Sequence, residues 1–138
     1  MKLNREHTVG EIAKIIDCRY VGDARHIVSG INEIHKVEHG DLVFVDHPKY
    51  YQKALKSAAT TVLIDQEVEC PEGKALIVSK NPFDDFNKLT RHFSPFIPQS
   101  SMIDSSAQID ASAIIYPNVF VGHGVTIGKG AVIYSGVV

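Results

Sequence analysis

The stretch Gly40-Asp41-Leu42-Val43-Phe44-Val45-Asp46-His47-Pro48-Lys49-Tyr50 holds the residues with most capacity for chemistry in this chain. A β-rich run carries Phe44 to its end, Pro48 turns the chain and Tyr50 starts a helical segment, so both rings can flank one crevice at a strand's carboxyl end. Two rings separated by the thickness of a base make a stacking clamp. A base face on an aromatic ring is worth about 1–3 kcal/mol. His47 or backbone groups between the rings can then read the base's hydrogen-bonding edge. A plainer arrangement fits the same residue types, with Phe44 in the core and Tyr50 on a half-buried helix face, and composition by itself favours it.

Other constellations carry less. His35-Lys36-Val37-Glu38-His39 fits the inverted zinc-protease string H-x-x-E-H, whose chemistry needs a long helix. Gly40 follows at once and Gly30 lies just upstream, so a surface turn with solvated histidines is expected there. His47, His92 and His123 share no i,i+4 spacing, and no metal site is expected. The strings G-x-S-x-G, the Walker loop and a G-x-G-x-x-G turn after a strand are absent. Gly122-His123-Gly124 and Gly128-Lys129-Gly130 fall on repeat turns, and His123 reads as a turn residue before it reads as a general base. Cys18 and Cys70 are too few for a disulfide framework and read as reduced thiols.

The elements that must position the clamp are short. Thr8-Val9-Gly10-Glu11 is a capping box ahead of Ile12, Ile15 and Ile16, which predicts a helix to about Asp17. Residues 20–21, 27–31, 42–45, 61–64 and 75–78 are β-rich runs bounded by Gly, Asp or Pro. Residues 50–57 and 83–93 have helical spacing, each just after a proline that suits a first turn. Residues 1–97 are therefore expected to form a small α/β domain, with an ordered linker over 94–100 (SPFIPQS).

From Ile103 onward the pattern changes. Ile103, Ile109, Ile115, Val121, Ile127 and Ile133 recur every six positions, and Ala107, Ala113, Val119, Val125, Ala131 and Val137 run in phase with them. Neither a helix nor a strand has that period, so a turn must recur, and Pro117, Asn118, Gly122, Gly124, Gly128 and Gly130 can supply it. The hexads predict a β-helix over 98–138, three per triangular coil, with the aliphatic residue inward. The pattern runs to Val137-Val138 without a capping helix, which predicts that these 138 residues are the N-terminal piece of a longer protein.

Composition narrows the partners. Fourteen basic residues against 16 acidic ones give a net charge of -2, so no basic footprint for nucleic acid or an anionic membrane exists. No apolar run approaches the roughly 18 residues of a membrane span, and the charged start is unlike a signal peptide, so the cytoplasm is the expected compartment.

GDLVFVDHPKY at 40–50, VSKNPF at 78–83 and the hexads, in that order, resemble the UDP-3-O-(3-hydroxyacyl)glucosamine N-acyltransferases of lipid A biosynthesis in Gram-negative bacteria. The resemblance covers essentially the whole chain. It implies an α+β protein: a small α/β uridine-binding domain followed by the first coils of a left-handed parallel β-helix. It implies that Phe44 and Tyr50 sandwich the uracil of UDP-3-O-acylglucosamine and that Lys49 stands near the diphosphate or in solvent. His47 replaces the family's asparagine; an amide offers a donor and an acceptor together, whereas neutral imidazole offers them on opposite sides of its ring. The implied reaction is acyl transfer from acyl carrier protein to the sugar's 2-amino group by a homotrimer, with no cofactor and no metal. The family's catalytic histidine lies in a segment that this sequence does not contain, and His123 in VGHGV does not match it, so no catalytic residue is assigned. Two rivals remain: another hexapeptide nucleotide-sugar acetyltransferase, and a non-catalytic trimerising module in which Phe44 and Tyr50 are core residues.

Overall fold

The computed structural model describes residues 1–138, which divide into two compact units, Met1–Pro95 and Phe96–Val138. The first unit contains strands β1 (Lys2–Thr8), β2 (Arg19–Val21), β3 (Ile27–Ile31), β4 (Asp41–Val45), β5 (Thr61–Ile64) and β6 (Ala75–Val78). Its helices are α1 (Val9–Ile15), α2 (Tyr51–Leu55) and α3 (Pro82–Phe93), with a 3-10 turn at Pro48–Tyr50. The sheet order is β1-β3-β4-β5-β6-β2, with β3 to β6 parallel and the two edge strands antiparallel to their neighbours.

Strict alternation along the central strands builds three layers. Leu42, Leu63, Ala75 and Ile77 face a cluster with Val9, Ile12, Ala13 and Ile16 near α1 and Leu89 of α3. Val43, Val45, Val62, Ile64 and Leu76 face the other side, against Tyr51, Ala54 and Leu55 of α2. A one-residue slip of any strand would exchange these sets, so the register is fixed from both faces. The α1 capping box is complete: Glu11 N donates to Thr8 Oγ1 at 3.2 Å and Thr8 N donates to Glu11 Oε2 at 2.8 Å. The helix ends at Ile15, short of the expected Asp17, because Asp17 takes a left-handed φ of 54° that breaks it. Strand β1 escapes the sequence reading. KLNREHT lacks alternation, and only pairing with β3, across a bulge between Lys2 and His7, makes it a strand.

The second unit is built of coils. Strands β7 (Gln108–Ile109), β8 (Ile114–Ile115), β9 (Thr126–Ile127) and β10 (Val132–Ile133) pair in parallel, β7 with β9 and β8 with β10, and Ile103 bridges Val121. Each partner lies 18 residues on, the spacing also spanned by the bonds from Gly124 N to Ser106 Oγ and from Gly130 N to Ser112 Oγ. Three hexads therefore make one coil. Two kinds of corner close them. Ser106 and Ser112 each donate backbone N–H and hydroxyl to the aspartate two residues before, at 2.9 and 2.6 Å in both cases. Asn118, Gly124, Gly130 and Gly136 instead adopt left-handed φ values of 60° to 84°. Val119 and Val121 are buried, whereas Ile103 is 43% exposed: with about two coils, most inward residues have a stacked neighbour on one side only.

Candidate functional site

Phe44 is the penultimate residue of β4, on the α3 side of the sheet, half-buried against the core. Its ring meets Phe83 edge-on at 5.8 Å and Phe86 at 4.7 Å, both from α3. The two motif segments of the sequence thus converge here, Phe44 from the first and Phe83 from the second. Phe86 gave no motif signal; its helical spacing from Phe83 was the available clue.

The placement of α3 depends on polar anchors. Asn81 caps the helix, donating from Nδ2 to Asp84 Oδ2 at 2.6 Å, and Pro82 occupies the first turn. Asp85, 7% exposed, accepts from Ser79 Oγ at 2.5 Å, Lys88 Nζ at 2.6 Å and Cys18 Sγ at 3.4 Å. Burial pushes its carboxyl upward, but the bonds from Lys88, Ser79 and Cys18 outweigh that and hold it below the usual range. Ser79 in turn accepts from Asn81 N at 2.9 Å, so the end of β6, the helix cap and the Phe83–Phe86 platform are one connected unit.

Tyr50 sits differently from expectation. It ends the 3-10 turn Pro48–Tyr50 rather than opening the helix, because Tyr50 N bonds His47 O at 2.9 Å and α2 starts only at Tyr51. Tyr50 is 48% exposed, on the 3-10 turn rather than on a helix face. His47 lies beside it, ring centroids 6.1 Å apart and planes at 60°, and Lys49 Nζ stands 5.5 Å from the Tyr50 centroid. His47 is also the cap of the turn: Lys49 N donates to its Nδ1 at 3.2 Å. His47, Lys49 and Tyr50 therefore form one exposed group, while Phe44 is held by α3. A cleft of about 670 Å³ flanks this carboxyl edge, lined by residues including Arg19, Asp65, Ser79 and Asp85 but by none of the four motif side chains.

Tyr51 and Asp65 were missed by sequence reasoning. The Tyr51 hydroxyl donates to Asp65, just past β5, and ties the turn carrying Tyr50 to the strand beside β4. Burial first, then Asp65 and Asp46, push the Tyr51 phenol up to about 12.

Asp41 is scaffold. Fully buried, it accepts from Asn32 Nδ2 at 2.7 Å and Glu38 N at 2.8 Å, which pins the loop holding His35, Glu38 and His39 as a turn. Gly40 needs its φ of +88°, and a Cβ there would stand 2.3 Å from Ser29 Oγ. His123 is likewise a corner residue: its Nδ1 lies 2.9 Å from Ser106 Oγ, and the same corner recurs at Asp110-Ser112-Gly130 with Lys129 in its place. No three His, Cys, Asp or Glu side chains are arranged to hold a metal ion, and no helix is long and apolar enough to cross a membrane. Both cysteines are free, and burial raises both thiols.

Residues 25–92 match the family described as UDP-3-O-(3-hydroxymyristoyl) glucosamine N-acyltransferase, LpxD, and residues 97–138 match the bacterial transferase hexapeptide family. Three curated relatives carry the name UDP-3-O-acylglucosamine N-acyltransferase. That of Alcanivorax borkumensis is 37% identical over 88 residues, 62% of this chain and 26% of the relative. That of Syntrophotalea carbinolica is 33% identical over 82 residues, 59% and 24% of the two chains. That of Protochlamydia amoebophila is 30% identical over 89 residues, 64% and 26%. The chain spans about a quarter of the length of the curated relatives it matches.

Proposed function

The chain belongs, over residues 25–92, to the UDP-3-O-(3-hydroxymyristoyl) glucosamine N-acyltransferase family, and from that premise we propose that it binds the uridine of UDP-3-O-acylglucosamine between Phe44 and Tyr50. The observation that carries this reading is the exposed Tyr50, 48% accessible and grouped with His47 and Lys49 on the turn that leaves β4, the strand whose Phe44 two α3 rings hold in place. One wall is fixed and the other open, as a stacking site for a flat ring requires. Uracil binding draws the Lys49 ammonium off the Tyr50 face toward the diphosphate, exchanging a cation–π contact for a charge pair.

In the whole protein the 2-amino group of the bound sugar attacks the thioester of a 3-hydroxyacyl chain carried by acyl carrier protein. A histidine beyond this sequence takes the amine proton, the tetrahedral oxyanion is held by backbone amides, and the thiol leaves. Nothing in this chain supplies that base. The hexads continue as a left-handed parallel β-helix in a cytoplasmic homotrimer. Ile114, Tyr116, Val132 and Tyr134, 43–66% exposed on the β8/β10 face, with the two tyrosines stacked at 5.1 Å, support an assembly surface there. The same face supports the second reading, a trimerising module that binds no nucleotide.

Titrating the isotope-labelled chain with UDP-N-acetylglucosamine, with ADP-ribose as control, separates the two. Saturable NMR shifts that need uracil and vanish in Tyr50→Ala are expected. No uracil-selective shift at millimolar ligand would overturn the clamp.

A further inference from the structure

We propose that His7 is an acid-operated latch on the last turn of α3: neutral, its ring seats Phe93 and holds that turn closed; protonated, it cannot stay beneath Phe93, and the turn opens. The latch uses a group that the uridine reading does not, and it stands or falls apart from that reading.

The ring is buried without partners. His7, near the end of β1, is 7% exposed, and its imidazole packs on the Phe93 ring with centroids 4.8 Å apart and planes at 59°. Nε2 is shut off from solvent and has no hydrogen-bond partner, and Nδ1 lies 3.8 Å from Glu11 Oε2, beyond hydrogen-bond reach. A neutral imidazole leaves one N–H unpaired there. An imidazolium would leave two, and with them a buried charge.

Glu11 is not free to turn toward it. Its Oε2 accepts from Thr8 N at 2.8 Å and its Oε1 from Arg5 Nη2 at 3.2 Å, so swinging the carboxylate to His7 would dismantle the α1 capping box. The other charged groups around the ring are cationic or can become so. Arg5 of β1, Lys14 of α1 and His92 of α3 line, with Glu11, a cleft of about 340 Å³ beside His7, and its partner on β3, Val28, carries no charge. Burial first, then Arg5, hold the imidazole below its ordinary 6.5; Glu11 opposes them and His92 adds to them. A histidine so lowered contributes stability that is whole above pH 6.5 and is lost as pH falls below it.

Which side gives way depends on how each is held. The end of β1 is fixed three times over: His7 and Thr8 pair with Val28 and Ile27 of β3, Thr8 caps α1, and Val9 N donates to His26 O at 2.7 Å. Phe93 is half-buried and is the last residue of α3, with only Ser94 N, donating to Thr90 O at 2.8 Å, closing the turn behind it. A helix end has fewer bonds to break than a paired strand, so the α3 turn is the side that opens.

Two measurements on the full 138-residue chain test this. Imidazole NMR should show His7 neutral at pH 7.5 and titrating below 6.5. Amide exchange at Ser94, corrected for its intrinsic rate, reads the turn. An imidazole of ordinary pKa 6.5 in the open turn is about nine-tenths charged at pH 5.5, so protection should fall by up to about 10-fold between pH 7.5 and 5.5. The Lys56 amide, which closes the end of α2 by donating to Gln52 O at 3.0 Å, should keep its protection. His7→Phe leaves a ring under Phe93 with no proton to gain and should make Ser94 protection independent of pH, whereas His92→Gln should leave the fall in place. Should His7→Phe fail to fold, Phe93→Ala carries the test: uncovering the imidazole should return its titration to about 6.5. Flat Ser94 protection in the wild type, a fall matched at Lys56, a fall that persists in His7→Phe or vanishes in His92→Gln, or a His7 titration unmoved by Phe93→Ala overturns the inference.

Discussion

Tyr51→Phe removes one oxygen and tests how the Tyr50 wall is held. Tyr51 is 9% exposed and its hydroxyl donates to Asp65, so the variant keeps the ring packing and deletes a hydrogen bond to a charged acceptor. Such a bond is worth about 1.5–3 kcal/mol net, and a loss of about 2 kcal/mol near pH 8 is expected. The pH dependence gives an independent check. The phenol titrates near its ordinary 10.0 in the unfolded chain and is pushed to about 12 in the folded one, first by burial and then by Asp65 and Asp46. Below pH 10 both states are protonated and the stabilisation is whole. As pH rises from 10 to 12 the unfolded state ionises first, and the wild type loses up to about 1.4 kcal/mol per pH unit, about 2 kcal/mol across the window. Phenylalanine has no proton to lose. Denaturant melts of both proteins between pH 8 and 12 should show their difference shrinking toward zero, because every other titrating group cancels in the subtraction. Parallel curves, or a variant as stable as wild type at pH 8, would refute the reasoning. The same variant should weaken uridine binding severalfold, because α2 has no side-chain cap of its own and the turn then keeps, beside its backbone bonds, the side-chain bond of His47.

Three further outcomes follow from the packing. Gly30→Ala places a Cβ 2.1 Å from Asp41 Oδ1, so a loss of about 2–4 kcal/mol in chemical denaturation is expected; wild-type stability would show that the Asp41 network is loose. Ser112→Ala removes the acceptor for Gly130 N and a donor to Asp110, which should cost only about 1 kcal/mol at this exposed corner but speed hydrogen exchange at the Gly130 amide; unchanged exchange would count against the corner ladder. Light scattering of the 138-residue chain at micromolar concentration should report a monomer, because Ile114, Tyr116, Val132 and Tyr134 span only two stacked strands, less than the roughly 800 Å² per partner of a stable interface; a stable trimer would contradict this.

Much of the scaffold is legible in the residues alone. The β-rich runs at 61–64 and 75–78 mark β5 and β6 residue for residue, because strands buried on both faces leave a continuous apolar signature. The hexads set the 18-residue coil for a similar reason: each residue's role repeats at a fixed interval, so local pattern and global fold carry the same information. Strand β1 is illegible because an edge strand rich in charge has no pattern of its own and exists by pairing.

The residues of the proposed clamp divide along the same line. The sequence by itself named Phe44, His47, Lys49 and Tyr50, since aromatic and basic residues around one proline form a local signal. Only the tertiary structure decided that Phe44 is backed by Phe83 and Phe86 across about 40 residues of chain, that Tyr51 is tied to Asp65, and that the His47 acceptor is spent on Lys49 N. Each of those facts is a pairing between partners, and a pairing depends on where the backbone brings two groups, which residue types and spacing do not encode singly.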